Sequence, residues 1–132
     1  MYKRQVIYIN KNRPESVARV FRERQQSEDK VGISLITYFE LLYGIEKSNQ
    51  KKRGQSVLGK FLNGVDVLEL GQSVGNCYAA IRASLEILGK PIGSMDLLIA
   101  AHAMDLGATL VTHNIKEFGR VEKLSVVDWV SY

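Results

Sequence analysis

A single cysteine, Cys77, stands in a chain of 132 residues. That scarcity excludes an internal disulfide framework and a Cys-rich zinc site, and it fits a reducing compartment. Long apolar runs are missing too. Asp, Glu, Gly or His breaks each one well short of the roughly 20 residues that cross a bilayer. The first ten residues are basic without a long apolar core, so they do not read as a secretory leader. Neither a GxGxxG nor a GxxxxGKS/T motif occurs, which removes the usual nucleotide-phosphate signatures. Internal repeats, linkers and low-complexity tracts are absent as well. These absences point to a cytoplasmic protein with no membrane contact.

What remains is an ordinary globular composition, 45% hydrophobic and 24% charged. A chain of this length buries about two thirds of its unfolded surface, enough for one core and too little for two. Residues 1–132 are therefore expected to form a single domain. The net charge of +4 conceals a division. Residues 1–60 carry 13 Lys/Arg against 6 acids, whereas residues 61–132 carry 5 against 8. A basic half favours an anionic partner such as nucleic acid. Solvated lysines on exposed helices would give the same count.

The chain alternates between two kinds of segment. Residues 5–9, 30–34, 65–70, 108–112 and 124–129 read as strands, rich in β-branched residues or alternating with period two. Between them, residues 14–22, 36–45, 50–62, 73–88 and 94–106 carry apolar residues at helical spacing. Ile36, Phe39, Leu42 and Tyr43 make one apolar face of the second helix. Gly107 suits a helix C-cap, and Gly89-Lys-Pro91 ends the helix before it. Strands separated by helices predict an α/β fold, with a mainly parallel central sheet and helices on both faces. Ligands of such sheets bind at the carboxyl ends of the strands.

Three polar residues fall where that rule directs attention. Glu40 lies among Tyr38, Phe39, Leu41, Leu42 and Tyr43. It also completes a capping box with Thr37, and it could equally face solvent. Asp96 opens an otherwise apolar helix, where Ser94 would be the cap and the dipole favours a first-turn acid. The five uncharged residues after Asp96 favour a carboxylate directed into a cleft, where it could hold a hard cation. Asn114 follows the strand at 108–112 and could hydrogen-bond a carboxylate or a metal-bound water. His102 and His113 lack zinc-ligand spacing and read as ordinary core or surface histidines, and Cys77 reads as helix core. Should Glu40, Asp96 and a strand-end polar group converge, their repulsion would call for a cation among them. Mg²⁺ or Mn²⁺ held there can activate water against a phosphodiester.

Residues 7–15 (IYINKNRPE), 33–48 (ISLITYFELLYGIEKS), 89–103 (GKPIGSMDLLIAAHA), 111–118 (VTHNIKEF) and 127–129 (VDW) resemble the PIN-domain ribonucleases, specifically VapC-type toxins of toxin–antitoxin pairs. The segments stand in family order over almost the whole chain. The resemblance is nearest to the branch that cleaves initiator tRNA. It implies a three-layer α/β/α PIN fold and a Mg²⁺- or Mn²⁺-dependent endoribonuclease acting on RNA, here a tRNA. It also implies a homodimer silenced by a VapB-like antitoxin. Family roles fall on Glu40 and Asp96 as metal-binding acids and on Asn114 as the polar group at the fourth position.

One family feature is missing. Members open with a strand ending in an Asp-Thr-Asn motif, whose Asp is a metal ligand. An ungapped count back from Asn12-Arg13-Pro14 puts that Asp at Tyr2, with Lys3 and Arg4 after it. No Asp or Glu precedes Glu15. The front of the chain thus reads as a degenerate or clipped first strand, or as the product of a miscalled start or frame slip. Impaired cleavage is expected. The alternatives are a PIN-fold remnant that binds antitoxin or RNA without cutting, and an unrelated α/β binding module.

Overall fold

The computed structural model describes residues 5–8, 30–112 and 114–128. Five strands form one sheet in the order β3-β2-β1-β4-β5. They are β1 (Gln5–Tyr8), β2 (Lys30–Ser34), β3 (Asp66–Leu68), β4 (Thr109–Val111) and β5 (Val126–Val127). Every pairing is parallel, with Gln5 opposite Lys30, Val6 opposite Thr109, Gly32 opposite Asp66 and Leu110 opposite Val126. Parallel neighbours need crossovers, and the described helices supply them. These are α1 (Leu35–Lys47), α2 (Lys51–Leu62), α3 (Val74–Ile87), α4 (Ser94–Leu106) and the short α5 (Ile115–Phe118).

Successive residues of a strand face opposite sides of a sheet, and β4 shows the consequence. Leu110 packs into a cluster with Val74, Ile81 and Leu85 of α3 and Leu97 and Ile99 of α4. Its neighbour Val111 joins Val31, Ile33 and Val65, with Tyr38, Leu41, Phe61 and Leu62 of α1 and α2 against them. Helices thus cover both faces, the expected three-layer α/β/α arrangement. In α4, Ala100, Ala101 and Ala103 are fully buried beside Ile99. Small side chains there let the helix sit close to sheet and α3 at once, which is why its sequence is apolar all round. Cys77 packs against the same cluster, as a helix-core thiol should.

The turns follow their residues. Gly107 adopts φ +63° and closes α4, with the Ala108 N–H donating to the Ala103 carbonyl at 2.9 Å. Gly89 at φ +69° ends α3, and the Lys90 N–H reaches back to the Leu85 carbonyl. Both conformations favour glycine because a Cβ is strained there.

Several boundaries differ from the sequence-based expectation. The strand expected over 65–70 is confined to Asp66–Leu68, because the Val65 N–H is used in a turn to the Leu62 carbonyl. The last strand is only Val126–Val127. The apolar face of α1 is not a core face throughout. Phe39, Leu42 and Tyr43 are exposed, Tyr43 by 62%, while Tyr38 and Leu41 take the inward positions. Tyr2, His113, Trp129 and the helix expected over 14–22 lie outside the described residues. No helix among the described residues is long and apolar enough to cross a membrane.

Candidate active site

From β1 the chain moves outward to β2 and β3, then returns to β4 on the other side of β1. That reversal opens a crevice beyond the carboxyl ends of β1 and β4, where sheets of this kind bind ligands. The short connection through Gly107 makes α4 run back along β4. The first turn of α4, bearing Asp96, therefore meets the turn that leaves β4.

At that meeting point the central group is Glu117, a residue the sequence reading did not single out. Asn114 caps α5, its Oδ1 accepting from the Glu117 N–H at 3.3 Å. Its Nδ2 donates to Glu117 Oε2 at 2.7 Å. The Gly93 N–H, at the start of α4, donates to Glu117 Oε1 at 2.9 Å. The Gly93 hydrogen bond, above all, holds the Glu117 carboxyl below its ordinary range. Partial burial opposes the shift, while Asn114, a hydrogen bond with Asp96 and the Arg120 charge reinforce it.

Asp96 and Glu117 are thereby brought together. A Cβ placed on Gly93 would lie 3.8 Å from Asp96 Oδ2 and 3.8 Å from Glu117 Oε1, so the two carboxyls flank one backbone position. Two carboxyl groups can share a hydrogen bond only if one keeps a proton. A cation between them satisfies the same pair without it. This donor set suits a hard ion such as Mg²⁺, which commonly takes one or two carboxylates and keeps several waters. No group of three or more His, Cys, Asp or Glu suited to a metal occurs among the described residues.

Glu40 stands apart from this pair. It is half-buried in the second turn of α1, which starts directly from the carboxyl end of β2. The capping box with Thr37 is not formed. Ser34 caps α1 instead, its Oγ accepting from the Ile36 N–H at 3.2 Å, and Thr37 Oγ1 is buried without a hydrogen-bond partner among the described residues. Ser94 likewise is the first residue of α4 and not its cap, since the cap position is Gly93. His102 is a core residue, fully buried, with Nδ1 2.8 Å from Ser34 Oγ.

The signal for Glu117 was available in the sequence. Asn114-Ile-Lys-Glu117 has the spacing of a cap and its N3 acid, placed directly after a buried strand. The clamp from Gly93, 24 residues earlier, is what gives that acid its place in the crevice.

Comparison with known proteins supplies a frame for this geometry. A family model described as the PIN domain matches residues 6–124. The tRNA(fMet)-specific endonuclease VapC of Shigella flexneri is 39% identical over 123 residues, covering 93% of this chain and 91% of that protein. Ribonuclease VapC2 of Rickettsia felis is 42% identical over 99 residues, 75% of this chain and 74% of that protein. Among solved structures, VapBC2 from Rickettsia felis bound to a DNA fragment from its promoter superposes with a TM-score of 0.85 at 34% identity. The match covers 94% of this chain and 98% of that one.

Proposed function

The chain belongs to the PIN-domain family, and from that premise we propose that it is a metal-dependent endoribonuclease toxin of the VapC type. The observation that carries the reading is the pairing of Asp96 with Glu117 at the carboxyl edge of a parallel sheet. The whole of residues 1–132 acts as one PIN domain. Its substrate is RNA, in particular a tRNA, and a VapB-like antitoxin neutralises it. It works in the cytoplasm as a homodimer.

Asp96, paired with Glu117, is the residue that would hold Mg²⁺ or Mn²⁺, and Glu40 on α1 is a further ligand by its family position alone. When bound, the ion supplies Lewis-acid activation of water and neutralises charge at the scissile phosphate. The protein's own contribution is orientation. Asn114 fixes Glu117 through both its amide nitrogen and its carbonyl oxygen. The Gly93 N–H keeps the Glu117 carboxylate charged, so it adds negative charge beside Asp96 to hold a cation or to orient a water by accepting its hydrogen bond. Asn114 is thus a positioning residue for the acid as well as a polar group of the site.

A second reading has its own support. With no acid before Glu15, β1 delivers no carboxylate to the crevice from this chain's front, and activity is impaired or lost. The protein would then be a PIN-fold remnant that binds antitoxin or RNA without cutting. Incubating the full chain with tRNA in Mn²⁺ and in EDTA separates the two. Fragments in Mn²⁺ alone support the enzyme, and an RNA mobility shift without fragments in either buffer supports the remnant.

A further inference from the structure

Beside the acidic pair, on the far side of the same loop, lies a cleft of about 200 Å³ between α3 and the start of α4. Tyr78, Arg82 and Glu86 line one wall at four-residue spacing along α3, and Ile92, Ser94 and Leu97 line the other. The loop from Pro91 to Ser94 is shared with the site, because its Gly93 N–H clamps Glu117 and its Pro91 carbonyl accepts from the Arg120 guanidinium at 3.0 Å. The cleft and the acidic pair are thus joined by one loop, and Ser94, which lines the cleft, is two residues from Asp96.

We propose that this cleft receives one unpaired nucleobase of the RNA, adjacent to the phosphodiester that is cut. The proposal rests on the ribonuclease reading for its substrate class. Its chemistry comes from the wall. The Arg82 guanidinium stands at the hydroxyl end of the Tyr78 ring, its carbon 6.0 Å from the ring centroid, and it donates to the Tyr78 hydroxyl and to Glu86, each at 2.9 Å. Aromatic rings and guanidinium planes are the surfaces on which splayed RNA bases stack. Half-buried Ile92 gives the opposite wall an apolar surface to cover the base from that side, with the core residue Leu97 at its floor. The Glu86 carboxylate supplies an acceptor for an exocyclic amine or ring N–H. Arg82 and Glu86 are both exposed, and an exposed i,i+4 bridge is weak enough to exchange Glu86 for a base edge or a phosphate.

The test uses the full chain and a short single-stranded RNA carrying 2-aminopurine, titrated in EDTA so that binding is read without cleavage. The expected result is fluorescence quenching on binding by the unaltered protein. Tyr78→Phe keeps the ring and should bind within about threefold. Tyr78→Leu should weaken binding by roughly 5- to 150-fold, the loss of one base–aromatic stack, and should abolish the quenching. Arg82→Ala, at an exposed position, should also weaken binding and decides the matter if Tyr78→Leu does not fold. Unchanged affinity and quenching in folded Tyr78→Leu or in Arg82→Ala overturns the subsite. Cleavage of the same RNA in Mn²⁺ is scored separately. Cleavage with an unchanged KM in both variants refutes the subsite and leaves the nuclease, whereas Tyr78-dependent binding without cleavage refutes the nuclease and leaves the subsite.

Discussion

The backbone N–H of Gly93 donates to Glu117 Oε1 at 2.9 Å, joining the start of α4 to the turn that leaves β4. One hydrogen bond thus sets an acid beside Asp96 and keeps it charged. Glu117→Gln retains the shape of the side chain and removes the charge. RNA cleavage by this variant should fall by on the order of 100-fold, the range expected for loss of a preorganised electrostatic group at the site. Its melting temperature should fall modestly at neutral pH, because the amide oxygen can accept from Gly93 or from Asn114 Nδ2 but not from both. Equal cleavage rates for the two proteins would remove Glu117 from the site.

His102 makes stability depend on pH. Burial holds its imidazole below the ordinary range, and the nearby Glu69 carbonyl and Asp105 charge offset only part of this. The unfolded chain takes up the proton near pH 6.5, and the folded chain resists it. Stability is therefore complete above about pH 6.5 and declines as pH falls below it, by up to about 1.4 kcal/mol per pH unit for one proton. Thermal melts from pH 7.5 to 5 should show this slope, and His102→Gln should flatten it. Parallel pH dependence in the two proteins would contradict the assignment.

A cation should stabilise the folded state by binding it and not the unfolded chain. Millimolar Mn²⁺ should raise the melting temperature of the unaltered protein. Asp96→Asn should abolish that rise, leaving a melting temperature in EDTA close to or above that of the unaltered protein. A rise of equal size in the variant would place the ion elsewhere.

Much of the fold was legible because it rests on local patterns. Period-two and helical spacing gave the order of strands and helices, and Gly107 marked its own turn through its αL conformation. The parallel sheet followed from that alternation. Asp96 was legible too, as an acid at the head of an apolar helix. What escaped depends on partners distant in sequence. Ser34 read as the end of a strand, and it becomes a helix cap held by His102, 68 residues away. Thr37 then lost the capping role its spacing offered. Glu117 was not singled out, because the Gly93 N–H that holds it belongs to a turn 24 residues earlier. The outward turn of Phe39, Leu42 and Tyr43 was hidden for a similar reason, since apolar and aromatic residues on more than one side of α1 do not declare which side meets the sheet.

The most direct test is the single-turnover rate of tRNA cleavage by the full chain in Mn²⁺, set against the same protein in EDTA and against Asp96→Asn in Mn²⁺. Cleavage in the first condition, with loss of at least about 100-fold in the other two, is the predicted result. Cleavage that persists in EDTA, or that survives Asp96→Asn undiminished, would contradict a metal-dependent ribonuclease built around Asp96.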